Sequence, residues 1–189
     1  MHFPGLKVVV PATPADAKGL MAAALREPNP VLFHSVNSLG FQRGEVPLDP
    51  DFIVPIGKGV VRRAGNAITA ITYGSMVDRT LAAADRVADE GIDVEVIDLR
   101  SLVPLDWELV LSSVRRTHRA MVVHEAVKTA GPGAEIAAQI QERLFFELEA
   151  PILRVAAKDV PLPQNGDLEQ LCIPSVDEIA DAARRLIAI

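Results

Sequence analysis

Residues 67–99 read AITAITYGSMVDRTLAAADRVADEGIDVEVIDL, and this stretch decides the fold class. Its first seven residues, 67–73, form an apolar and threonine run that predicts a buried strand. Gly74 and Ser75 interrupt it, and Ser75 is a candidate helix cap. Val77, Leu81, Ala84 and Val87 then line one helical face, and Gly91 ends that helix. Residues 93–99 follow as a second strand, with Val94, Val96, Ile97 and Leu99 as its apolar members. A strand, a helix and a strand in succession need a crossover, and a crossover makes the strands parallel.

The pattern continues downstream. Leu105 and Asp106 open a helix with Trp107, Val110, Leu111 and Val114 on one stripe. Residues 120–123 read as a third strand. Gly131-Pro132-Gly133 leads into a helix with Ile136, Ala137, Ile140 and Leu144 along one side. Residues 152–155 read as a fourth strand, and Pro161 and Pro163 mark a loop. Ser175 and Glu178 have the spacing of a capping box before a last helix with Val176, Ile179, Ala183 and Leu186. The alternation predicts an α/β fold with a doubly wound, mostly parallel sheet.

Upstream, residues 7–10 are a short apolar strand. Thr13 caps a helix with Pro14 in its first turn and Asp16 at its positive end. Ala17, Leu20, Met21, Ala24 and Leu25 form its stripe. Pro28-Asn29-Pro30 stops it, and residues 31–36 read as another strand. Residues 37–51 carry Gly40, Gly44, Pro47 and Pro50 with few apolar anchors, which reads as a linker. A partial α/β segment therefore precedes a second unit from residue 52 onward.

Composition narrows the function classes. The 189 residues carry a net charge of −6, so no basic surplus is present to neutralise nucleic-acid phosphates. Hydrophobic residues at 49% exclude a disordered chain, and aromatics at 4% make the core aliphatic. No apolar run reaches the ~18 residues of a membrane helix. The first residues lack the basic flank and apolar length of a signal peptide. One cysteine, Cys172, forms no internal disulfide, and its apolar neighbours read as a packed thiol in a reducing, cytoplasmic setting.

Parallel α/β sheets place ligands beyond the carboxyl ends of their strands. Those ends carry Arg100, Ser101, His124 and Glu125, a candidate edge for a small anion or acyl group. A structural reading is favoured over it: Arg100 pairs with Glu125 or Asp98, and His124 caps a backbone carbonyl. Gly131-Pro132-Gly133 likewise has two readings, an anion-binding helix start or a tight turn that brings helix and sheet together. The run Arg115-Arg116-Thr117-His118-Arg119 reads as a solvated helix end. No nucleophile elbow and no zinc-like spacing occurs. Residue patterns alone reach an α/β domain with one ligand edge, and no reaction.

Longer motifs go further. PGLKVV (4–9), PATPADAKGL (11–20), NP (29–30), PIGK (55–58) and TYG (72–74) are followed in order by VEVIDLRSL (94–102) and PLD (104–106). VHEA (123–126), GPGAEI (131–136), AP (150–151) and DVP (159–161) complete the set. Together they resemble the beta subunit of the thiamine-diphosphate-dependent 2-oxo acid dehydrogenases, the pyruvate, branched-chain and acetoin dehydrogenase families. Residues 33–51 match least.

The resemblance implies that residues 52–189 are a transketolase C-terminal-like domain with a mixed five-stranded sheet. Residues 1–40 are then the tail of a pyrimidine-binding domain, and 41–51 the linker. It implies oxidative decarboxylation of a 2-oxo acid and acyl transfer to lipoyl groups, with thiamine diphosphate and Mg²⁺ in the full complex. The family's cofactor-activating glutamate and its active-site histidine lie before the start of the match. No catalytic or cofactor-binding residue is therefore expected in this chain, and the chain alone is expected to be inactive. A structural potassium ion, held in the family by backbone carbonyls, maps in part onto Ala24, Glu27 and Asn29. Implied partners are the alpha subunit, a second beta subunit and the dihydrolipoyl acyltransferase core. Apolar residues of the first segment, Val8, Val9, Leu20 and Leu25, are expected to be uncovered and to favour self-association. Two alternatives remain: a stand-alone assembly or effector-binding module, and part of a split transketolase-type enzyme.

Overall fold

The computed structural model describes residues 1–189 as one α/β body. The first strand, β1 (Lys7–Val9), leads to α1 (Pro14–Arg26). Thr13 caps α1, its Oγ1 accepting the Asp16 N–H at 3.1 Å, and Pro14 opens the first turn as its fixed φ allows. Strand β2 (Val31–Phe33) pairs with β1 in parallel. Residues 37–51 contain one short 3₁₀ turn, Asn37–Leu39, and are mostly exposed.

The main sheet is built from β3 (Val60–Arg63), β4 (Ile68–Thr72), β5 (Val94–Asp98), β7 (Ala120–Val127) and β8 (Leu153–Ala157). Their order is β3-β5-β4-β7-β8. β4, β5, β7 and β8 are parallel, and β3 runs antiparallel at the edge beside β5. The expectation of a mostly parallel five-stranded sheet is met. Helices α2 (Met76–Ala88) and α6 (Val176–Ile187) cover one face. Helices α3 (Trp107–Thr117) and α4 (Pro132–Leu144) cover the other.

Strand periodicity explains this two-sided burial. Ile68 and Ala70 of β4, with Val94 and Val96 of β5, pack against α2 and α6. Ile71, Tyr73, Ile97 and Leu99 pack against α3 and α4. The capping box before α6 is present: Ser175 Oγ accepts the Glu178 N–H at 3.2 Å, and Glu178 accepts the Ser175 N–H at 2.8 Å.

Short tertiary pieces depart from the sequence pattern. Strand β6 (Ser101–Val103) has no periodicity of its own and exists because it pairs antiparallel with β1. Helix α5 (Gly166–Gln170) is a single turn capped by Asn165. The second strand ends at Phe33 rather than residue 36, and β7 runs on to Val127. Ser75 sits at the start of α2, yet its side chain makes no capping bond, because the hydroxyl donates to Glu125 instead.

The pairing of β1 with β6 ties the first segment to the rest. Val8 and Val10 join the core formed by Ile97, Leu99, Val110 and Val114. Val9 and Leu20 pack on Val54. The expected uncovered apolar patch is corrected accordingly: Val8, Val9 and Leu20 are buried, and only Leu25 of the four is exposed, at 81%. No helix is long and apolar enough to cross a membrane.

Candidate functional site

The four residues read as one ligand edge fall into two groups with separate partners. Arg100 lies in the turn between β5 and β6 with φ of +55°, the left-handed region that costs a non-glycine residue conformational energy. The turn is held by its N–H donating to Asp98 Oδ1 at 3.1 Å. Its guanidinium donates to the carbonyls of Lys58 at 3.1 Å and Gly59 at 3.0 Å and to Asp16 Oδ1 at 3.3 Å. Ser101 is buried, and its hydroxyl donates to the Pro104 carbonyl at 2.7 Å.

Arg62 of β3 completes this group. It donates from Nε to Asp98 Oδ2 at 3.2 Å, from Nη2 to the same oxygen at 2.8 Å, and from Nη2 to Asp16. Two carboxylates and two guanidiniums therefore join α1, β3 and the end of β5. Asp98 is fully buried, and burial pushes its carboxyl up to about 6 even though Arg62 pulls it back. For Arg62 burial acts downward, but Asp98 and Asp16 outweigh it and the guanidinium is held above its usual value. The donors here are already spent on carboxylates and carbonyls, so the arrangement is a clamp rather than an open anion site.

His124, on β7, is fully buried. Its Nδ1 lies 3.0 Å from the Ala126 carbonyl, and its Nε2 accepts the Gly133 N–H at 3.2 Å. These two bonds assign the proton to Nδ1. Burial lowers the ring's pKa, which keeps it neutral. The ring stacks on Tyr73 with centroids 6.3 Å apart. Gly131-Pro132-Gly133 is thereby placed: a Cβ on Gly133 would lie 2.6 Å from His124 Cδ2, so glycine there permits the approach of α4 to the sheet. Glu125 accepts the Ser75 hydroxyl across the sheet edge. No hydrogen bond joins the Arg100 group to the Glu125 group.

The other singled-out residues have local partners. His118 ends α3 with φ of +57° and bonds the Glu147 carbonyl through Nδ1 at 2.8 Å. Cys172 is half-buried, with Sγ 3.4 Å from the Leu168 carbonyl. At the end of α1, Ala24 accepts the Glu27 N–H at 3.3 Å, and Asn29 Nδ2 donates to Glu27 Oε1 at 2.9 Å. The Lys7 ammonium stands 2.5 Å from Glu27 Oε2 and pairs with that side chain. No group of three or more His, Cys, Asp or Glu is placed to hold a metal ion. Asp16, Arg62 and Tyr73 were not singled out by sequence pattern as site partners, because their neighbours come from distant segments.

The family described as Transketolase, C-terminal domain matches residues 57–179. The Pyruvate dehydrogenase E1 component subunit beta of Rhizobium meliloti (strain 1021) is 45% identical over 97% of this chain and 40% of its own. Its counterpart in Bacillus subtilis (strain 168) is 43% identical over 97% of this chain and 56% of its own. The acetoin:2,6-dichlorophenolindophenol oxidoreductase subunit beta of Cupriavidus necator is 44% identical over 97% and 54%. The chain thus spans about half the length of these relatives. A solved split gene transketolase, described as an inactive beta4 tetramer, superposes with a TM-score of 0.77 at 26% identity, over 99% of this chain and 59% of that one. The sheet order, the helices on both faces and the matched residues agree, and the chain belongs to the transketolase C-terminal domain family.

Proposed function

We propose that this chain forms the C-terminal part of the beta subunit of a 2-oxo acid dehydrogenase decarboxylating component. The observation that carries the reading is identity of 43–45% running through 97% of the chain in beta subunits of pyruvate and acetoin enzymes. Residues 1–40 are then the tail of a pyrimidine-binding domain, 41–51 a linker, and 52–189 the assembly domain, working in the cytoplasm. Its role is to hold an alpha subunit and a second beta subunit and to help dock the acyltransferase core. Thiamine diphosphate, when bound in the assembled enzyme, supplies the carbanion chemistry for the 2-oxo acid. This chain's contribution is scaffold. Buried Asp16 and Asp98 are paired with Arg62, buried Glu95 with Arg116, and the one buried imidazole is tied to α4.

A split transketolase-type enzyme is the second reading, favoured by the 0.77 superposition, but identity of 26% there against 45% ranks it lower. A direct assay tests the first. The purified chain is supplied with pyruvate, thiamine diphosphate, Mg²⁺ and a redox dye. The expected result is no dye reduction and no heat of cofactor binding. Turnover, or micromolar cofactor affinity, overturns the scaffold role.

A further inference from the structure

The β4–β7 crevice carries a feature that the assembly role leaves unused. From β4 the chain crosses to β5 on one side, then returns past β4 to β7 on the other. The crevice beyond the carboxyl ends of β4 and β7 is therefore the topological switch point, where ligands of open α/β sheets bind. Tyr73 and Ser75 come from the β4 side and Glu125 from β7. They line a cavity of about 240 Å³ together with His34 from the first segment.

Tyr73 is 91% buried, being 9% exposed, and its hydroxyl makes no hydrogen bond to the protein although it borders the cavity. The hydroxyl is open to the cavity and free to meet a ligand there. Burial first, and the Glu125 charge second, raise its pKa, so it keeps its proton and remains a donor. Glu125 has no cationic partner within 4 Å, and only its Oε2 is engaged, by Ser75. Gly74 makes room here: with φ of +59°, it leaves Val10 and Val36 close to where a Cβ would stand. No lysine or arginine lines the cavity. Glu125 is the one carboxylate on its lining.

We propose that this crevice binds a small hydroxyl-bearing organic ammonium ion, an amino alcohol. The ammonium donates to the free Glu125 oxygen, the hydroxyl accepts from Tyr73, and Val10, Val36 and Leu162 form the apolar wall. The donor and acceptor types match one to one. Neither a glycol, lacking charge, nor a hydroxy acid, carrying the wrong charge, satisfies both.

The test is calorimetric titration of the whole chain with ethanolamine, ethylene glycol and glycolate. Ethanolamine is expected to bind saturably in the millimolar range. Glu125→Gln keeps an acceptor for Ser75 but removes the charge, and is expected to weaken binding at least ~10-fold; Tyr73→Phe is expected to weaken it ~3–10-fold. Circular dichroism checks that both variants are folded. The proposal fails if ethanolamine does not saturate by ~10 mM, if glycolate or ethylene glycol binds equally well, or if either folded variant retains the wild-type affinity.

Discussion

Replacing Gly133 by alanine is expected to lower stability by about 3 kcal/mol, from overpacking and an unmade hydrogen bond together. The new Cβ would overlap the His124 ring, whose Cδ2 would stand 2.6 Å away. The ring cannot step aside, because it is fully buried, stacked on Tyr73 and bonded to the Ala126 carbonyl. Relief would require α4 to move off the sheet. That would break the Gly133 N–H bond to Nε2 and loosen Ile136 and Ile140 from their core. Urea unfolding is the measurement. Gly166→Ala is the control, since its Cβ would meet nothing within 4 Å. Adding His124→Ala to Gly133→Ala should cost less than the two single changes summed, because removing the ring removes the clash. A Gly133→Ala variant as stable as the control would mean that the α4 approach does not depend on this glycine.

Arg62→Ala is expected to cost about 3–5 kcal/mol at pH 8, the loss typical when one member of a buried ion cluster is removed. It leaves Asp98 fully buried without its guanidinium and leaves Asp16 with Arg100 alone. The pH dependence gives the sign. In the native chain the Asp98 carboxyl lies at about 6, above its free value of 3.8, so the folded state holds this proton more tightly than the unfolded state does. Asp98 therefore favours folding on the acid side, and that favour is lost as pH rises from about 4 to about 6. Without Arg62 the carboxyl titrates higher still, so the cost of the substitution should shrink between pH 8 and pH 5 as Asp98 takes up its proton. A loss below 1 kcal/mol at pH 8, or one that grows on acidification, would contradict the clamp.

Both predictions turn on contacts that sequence order hides, and this marks what was legible beforehand. The alternation of Ile68, Ala70, Val94 and Val96 against Ile71, Ile97 and Leu99 is local, so a sheet covered on both faces could be read directly. The Thr13 cap and the Ser175–Glu178 box are equally local and stand as expected. Strand β6 was hidden because three residues carry no period and its partner β1 lies more than ninety residues earlier. The edge Arg100, Ser101, His124 and Glu125 was read from strand ends alone. Strand ends say which residues share an edge, but not that Asp16 and Arg62 already occupy Arg100's neighbourhood. Nor do they show that His124 is turned inward toward Gly133. The same blindness hid Tyr73, which reads as one more apolar residue of a buried strand until its hydroxyl is seen at the switch-point cavity.

The beta-subunit assignment rests on family identity, and association is its physical consequence. Sedimentation velocity of this chain mixed with a pyruvate dehydrogenase E1 alpha subunit at micromolar concentrations tests it most directly. One faster boundary containing both polypeptides is expected. Two boundaries that sediment independently, each at the rate of its isolated component, would contradict it.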